Sequence, residues 1–255
     1  MSLTLEYKKS KRTGCFPMFA VGGAAAAAFP VLNMAFRSDM YVSLQDSMLQ
    51  TSVPQNSMLQ NSSVRILLEA NWQMMAMVNI LLAVLGACLL YHAEYTDNAM
   101  QKMRTLPVKA GRMFTGKFAW IIIMYFITLT VEAAGIMFCI YRWFQFGGEA
   151  AAELLQSFGY SLLLALPAIS ASLLIASLCR NVWISLGIGV VCVFTATMLP
   201  TSHFALSLFP FAMPFQILPG TTKTTVYHFM LAAVLETTAL SAAELIILKI
   251  RRLFE

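Results

Sequence analysis

The chain has 255 residues, of which 59% are hydrophobic and only 11% charged, with a formal net charge of +5 and a mean hydropathy of +0.71. Soluble domains average about 45–50% apolar and about 25% charged residues, so a water-soluble fold of this length is excluded and the bilayer is the expected solvent. The five cysteines, Cys15, Cys88, Cys139, Cys179 and Cys192, stand singly in apolar segments without metal-ligand spacing. They read as small buried hydrophobes, and no metal or catalytic site is expected.

Residues 1–13 pair Leu3, Leu5 and Tyr7 with Lys8, Lys9, Lys11 and Arg12, which predicts an amphipathic interfacial helix along the inner membrane surface. Gly14 breaks it. Residues 15–36 predict the first span, with Gly22, Gly23 and alanines at 24–28. Such small side chains let another helix approach closely, so this face is expected to pack on protein. The apolar run is too long for a signal-peptide core and contains Pro17 and Pro30, so it reads as a retained span. Residues 37–70 are rich in Ser, Gln, Asn and Met and read as an outer loop, helical in part.

Residues 71–92 predict the second span, with Met74, Met75, Met77 and Asn79 in its outer half. A methionine stripe suits adaptable core packing or a surface that accepts varied apolar cargo. A polar island, 93–117, follows. The third span is predicted at 118–140 and the fourth at 157–178, kinked by Pro167, with a short turn at Gly147 and Gly148 between them. Arg180 marks a brief inner turn before the fifth span, 183–199, close to the minimum length for a crossing. Four prolines at 200, 210, 214 and 219 interrupt the apolar stretch 200–225, which predicts a re-entrant pair of short outer helices packed against protein. The sixth span, 226–248, is closed by Lys249, Arg251 and Arg252.

With the amino terminus inside, the inner segments hold 13 of the 17 Lys and Arg, leaving Arg37, Arg65, Arg142 and Lys223 outside. Positive residues are retained in the cytoplasm, so an all-α membrane protein with six transmembrane helices and both termini cytoplasmic is the expected architecture.

Three acidic residues fall within predicted spans, where they are costly and mark functional candidates. Glu132 and Glu236, with Asn79, are the candidates for a substrate cavity, against the alternative of protonated or hydrogen-bonded structural roles. Glu244 reads as structural, near Lys249 and Arg251. Residues 111–118 match the phosphate-loop pattern GxxxxGK up to Lys117, but Phe118 stands where a hydroxyl should bind magnesium and no strand precedes the loop. No nucleotide site is therefore expected in this chain. An intramembrane protease is disfavoured too: HExxH is absent, and His92, His203 and His228 lie in separate segments.

The polar island carries a helical pattern over about 94–105, with Glu94 and Asp97 in its first turn and Lys102 and Arg104 in its last, which complements the helix dipole. Pro107 ends it. Tyr95, Ala99, Met100 and Met103 would seat it in a groove on a partner. Glu94, Asp97 and Asn98, the run Met103, Arg104, Thr105, Leu106, Pro107 and Val108, then Gly116 and Lys117, resemble the first intracellular loop of permeases in type-2 ABC exporters. The layout is similar over essentially the full chain. Within that family a Ser/Asn/Gln-rich first outer loop is similar to permeases of lantibiotic immunity and antimicrobial-peptide resistance.

The resemblance implies a cytoplasmic coupling helix between spans two and three, with Glu94, Asp97, Arg104, Leu106 and Pro107 coupling to the motor. It implies two ABC ATPase subunits carrying ATP and Mg, a second permease copy or a sister permease, and an amphipathic peptide or lipid-like cargo, with no nucleic acid. The expected place is the bacterial cytoplasmic membrane. The alternatives are a permease for another drug or lipid-like substrate, or a non-transporting membrane sensor or assembly protein.

Overall fold

A computed structural model describes residues 7, 10, 14–50, 63–96, 110–144, 150–179, 181–199, 204–219 and 221–254, with 42, 44–50, 94–96, 110, 112 and 251–254 described by backbone alone. The elements are α1 (Cys15–Gln50), α2 (Ser63–Thr96), α3 (Ala110–Trp143), α4 (Ala150–Leu178), α5 (Val182–Met198), the one-turn α6 (Phe204–Ser207), a 3-10 turn at Met213–Phe215, and α7 (Lys223–Phe254). No strand occurs among the described residues. Five helical stretches are long and apolar enough to cross a membrane: Cys15–Tyr41, Ser63–Ala93, Met113–Trp143, Ala150–Leu178 and Lys223–Ile250. The fifth expected span coincides with α5, whose 17 residues reach only about 25 Å at about 1.5 Å per residue, short of a hydrocarbon core of about 30 Å.

Local chemistry sets the element ends. Gly14 adopts a φ of +71°, a left-handed conformation that favours glycine, and it separates the helical Tyr7 and Ser10 from α1. Tyr7, Phe16 and Trp120 then meet edge to face, with ring centroids 5.5–5.8 Å apart, anchoring this entry segment on α3. Along α1 the backbone leaves helical geometry at Arg37 (φ −135°, ψ 28°) before helix resumes to Gln50. The break falls next to position 36, where the polar composition begins. Asn181 caps α5, its side-chain oxygen accepting from the Trp183 backbone N–H at 2.9 Å. Leu199, before Pro200, is extended and ends α5, as a residue preceding proline prefers.

Helix α2 begins at Ser63, eight residues before the expected span at 71, because an apolar face lies hidden in a polar stretch. Val64, Leu67 and Leu68 recur at i, i+3 and i+4 and are buried. Arg65 and Glu69 pair across one turn of the other face at 2.7 Å.

The core sits around α2 and α4. Over 18 apolar residues of each, two-thirds (67%) are buried, against 11% over 18 such residues of α7. Helix α4 runs unbroken through Pro167, where Ser170 Oγ donates to the Pro167 carbonyl at 2.9 Å. Helix α1 packs along α3 and α2 through the small-residue stripe. A Cβ on Gly22 would come within 2.4 Å of the Leu82 side chain, and one on Gly23 within 3.1 Å of Thr128; one on Gly135 would come within 3.1 Å of the Ala27 carbonyl. The broken segment after α5 packs on α2 and α4, with Phe211, Ala212, Met213 and Leu218 buried. Trp72 Nε1 donates to the Pro214 carbonyl at 3.0 Å. The outward faces of α5 and α7 stay apolar and exposed, with Trp183, Val191 and Met198 on one and Tyr227, Leu235 and Ile246 on the other. Water would not tolerate so extended an apolar surface, whereas lipid tails solvate it.

Candidate functional site

The polar island is bracketed by the end of α2 at Thr96 and the start of α3 at Ala110. Asp97, Arg104, Leu106 and Pro107 lie outside the described residues, and Glu94 is described only as a helical backbone position near the end of α2. Beside the island, Tyr91 on α2 and Lys117 on α3 are described with their side chains, and polar groups meet there inside the bundle.

Glu244 of α7 is fully buried. Its Oε1 accepts from the Tyr91 hydroxyl of α2 at 3.1 Å, and its Oε2 from the Ser177 hydroxyl of α4 at 2.7 Å. Lys117 of α3 is buried as well, with Nζ 4.7 Å from the centroid of the Tyr91 ring, where the ring face attracts a cation. Four helices thus converge on one buried junction. Tyr91 is five residues before the end of α2, and Lys117 seven after the start of α3.

Glu244, expected to be structural near Lys249 and Arg251, is held by these contacts, and the Arg251 side chain lies outside the described residues. Positions 244 and 249 are five apart and face different sides of a helix. Glu244 turns inward to Tyr91 and Ser177, whereas Lys249 is exposed. Sequence reading missed Tyr91 and Ser177 altogether. The available signal was a carboxylate near the inner end of a span, which needs partners wherever it is buried.

Two of the three residues expected in a cavity come together. Asn79 of α2 and Glu132 of α3 are both fully buried, and Asn79 Nδ2 donates to Glu132 Oε2 at 2.9 Å. Glu132 shares a face of α3 with Thr128 and Gly135, the residues that meet Gly23 and Ala27 of α1. The pair is therefore sealed at the junction of α1, α2 and α3. Glu236 stands apart from it on α7, half-buried, with one buried carboxylate oxygen lacking a hydrogen-bond partner.

A second polar layer involves α1, α2 and the broken segment. Asn33 donates to Asn71 Oδ1, Asn71 donates to the Leu67 carbonyl at 2.9 Å, and the adjacent Trp72 holds Pro214. The phosphate-loop lookalike is helix from Ala110 onward. A continuous helix does not present the cradle of loop amides that a phosphate loop requires.

Long apolar helices joined by buried polar contacts define a multi-pass membrane protein. The sequence model of the family described as ABC-2 family transporter protein matches residues 2–196, more than half of the chain, and the chain belongs to that family. It is thus a membrane permease component of an ABC transporter, and the family implies pairing with an ABC ATPase. The match ends within α5, leaving the broken segment and α7 beyond it. No curated protein and no solved structure matches the chain.

Proposed function

We propose that the chain is one permease of an ABC exporter in a bacterial cytoplasmic membrane, crossing six times with both termini and the 93–117 island on the cytoplasmic side. Two ATPase subunits carrying ATP and Mg drive it, and a second copy or a sister permease completes the pathway. The observation that carries this reading is the junction of Tyr91, Lys117, Ser177 and Glu244 at the roots of the island. A force applied to the island reaches α2 and α3 first. Through Glu244 it acts on α4 and α7 as well, so one displacement tilts four helices together, the kind of rigid-element motion that switches access to a cavity.

In this reading Glu94, Asp97, Arg104, Leu106 and Pro107 form the surface that the motor grips. The cargo is an amphipathic antimicrobial peptide of the lantibiotic kind. The support is chemical: Met74 is exposed and Met77 half-buried on α2, while Met75 is buried in the core, which suits an adaptable apolar lining, and the broken segment packs beside Met77 and under Trp72. Asn79, Glu132 and Glu236 reach cargo only when the spans part, since the first two are sealed in the described conformation.

Purification in mild detergent tests the coupling. The ATPase is expected to co-purify with the native chain and to be lost, with transport, in Leu106→Asp. Co-purification and transport both untouched by that change would overturn the assignment of the island. Peptide-stimulated ATP turnover in the assembled complex tests the cargo, with a lipid-like compound as the competing stimulant.

A further inference from the structure

The Asn79 and Glu132 pair is incomplete as an amide facing a carboxylate. Asn79 Nδ2 donates to Glu132 Oε2 at 2.9 Å, yet Asn79 Oδ1 and Glu132 Oε1 are both buried with no hydrogen-bond partner. Both orphaned atoms are acceptors when the carboxyl is ionised. Buried acceptors normally find donors, and here both side chains are wholly enclosed. The surroundings offer no counter-charge: residues 22–28 of α1 and 75–83 of α2, the facing stretches, contain no titratable side chain. Tyr125, two turns earlier on the same helix, is buried as well.

One small ligand satisfies both orphans at once. We infer that Glu132 binds a proton on Oε1 and shares it with Asn79 Oδ1, so that acid and amide close a reciprocal ring clasping α2 to α3. The amide N–H donates to one carboxyl oxygen, and the carboxyl O–H donates back to the amide oxygen. Helices α1 and α3 are in close contact one turn away, where the Ala27 carbonyl lies 3.1 Å from where a Cβ on Gly135 would stand. The proton comes from water and returns to it only when α2 and α3 part. While the helices are together the site is neutral, and no ionised carboxylate is held away from water. This inference does not depend on the cargo or on the motor.

Infrared spectroscopy of the full chain in lipid nanodiscs at neutral pH, with its ATPase where one co-purifies, reads the proton directly. With ¹³C-labelled glutamate, the difference between the native protein and Glu132→Gln is expected to contain a carboxylic-acid C=O band, moved to higher frequency in Asn79→Leu where its hydrogen bonds are lost. Glutamine rebuilds the ring from two amides, so Glu132→Gln is expected to fold with a Tm within about 3 °C of the native value, a shift small for a chain of this size. Asn79→Leu should lower Tm by more than Glu132→Gln does. A difference spectrum holding carboxylate stretches in place of the acid band, or a Glu132→Gln chain that fails to fold, would overturn the inference. Neither result bears on the motor assignment, which is read from co-purification and transport.

Discussion

At the inner end of α7, Glu244 accepts hydrogen bonds from two other helices, so removing one side chain should loosen three elements. Glu244→Ala is expected to cost about 1–3 kcal/mol, the range for leaving a buried hydrogen-bonding group without its partner, seen as a lowered Tm in detergent. Glu244→Gln keeps an acceptor and should cost less. Gly14 offers a separate test: its φ of +71° imposes roughly 1–2 kcal/mol on any residue with a Cβ. With no atom within 4 Å of a built Cβ there, Gly14→Ala should lower stability by backbone strain alone. A stability equal to that of the native chain would count against that conformation.

Between elements, the decisive quantity is the distance of closest approach. Gly135 and Gly159 are both helical glycines, but a Cβ at the first meets the Ala27 backbone carbonyl at 3.1 Å and a Cβ at the second meets nothing within 4 Å. Gly135→Ala should therefore push α1 from α3 and cost about 1–3 kcal/mol. Gly159→Ala should be neutral or stabilise by up to about 1 kcal/mol, through helix propensity and a stiffer unfolded chain. Thermal unfolding of the two variants side by side checks this, and equal effects would contradict the α1–α3 contact. The broken segment depends in the same way on an anchor. Trp72→Phe keeps the ring packed near Phe158, at 5.9 Å, but leaves the Pro214 carbonyl without its donor, and about 1 kcal/mol of loss is expected.

Across the whole molecule, the asymmetric placement of Lys and Arg makes a topological prediction. A cysteine placed at Asn56, between α1 and α2, should react with an impermeant maleimide in intact cells. One at Gln101, in the island, should react only after the membrane is opened. The five native cysteines need replacing first; Cys15, Cys88 and Cys139 are buried, and serine at those sites would bury a hydroxyl, so alanine is the better choice. The reverse labelling pattern would invert the whole assignment, and with it the side on which a motor could bind.

Much of the fold was legible in the sequence because membrane helices obey a one-dimensional rule: a backbone without water must bond to itself, and a long apolar run shows where. That rule determined the helical class, the long apolar helices and the break at the proline cluster. The small-residue stripe of α1 announced a close contact but not its partners, and the apolar face at Val64, Leu67 and Leu68 was hidden by Ser63, Arg65 and Glu69. Only the tertiary structure decided which polar residues share an environment. Asn79 and Glu132 are 53 positions apart, and Tyr91 and Glu244 are 153 apart. Helical periodicity fixes which face a residue occupies, but not which helix that face will meet. The choice was made by packing, where glycines allow close approach and buried donors and acceptors must find one another.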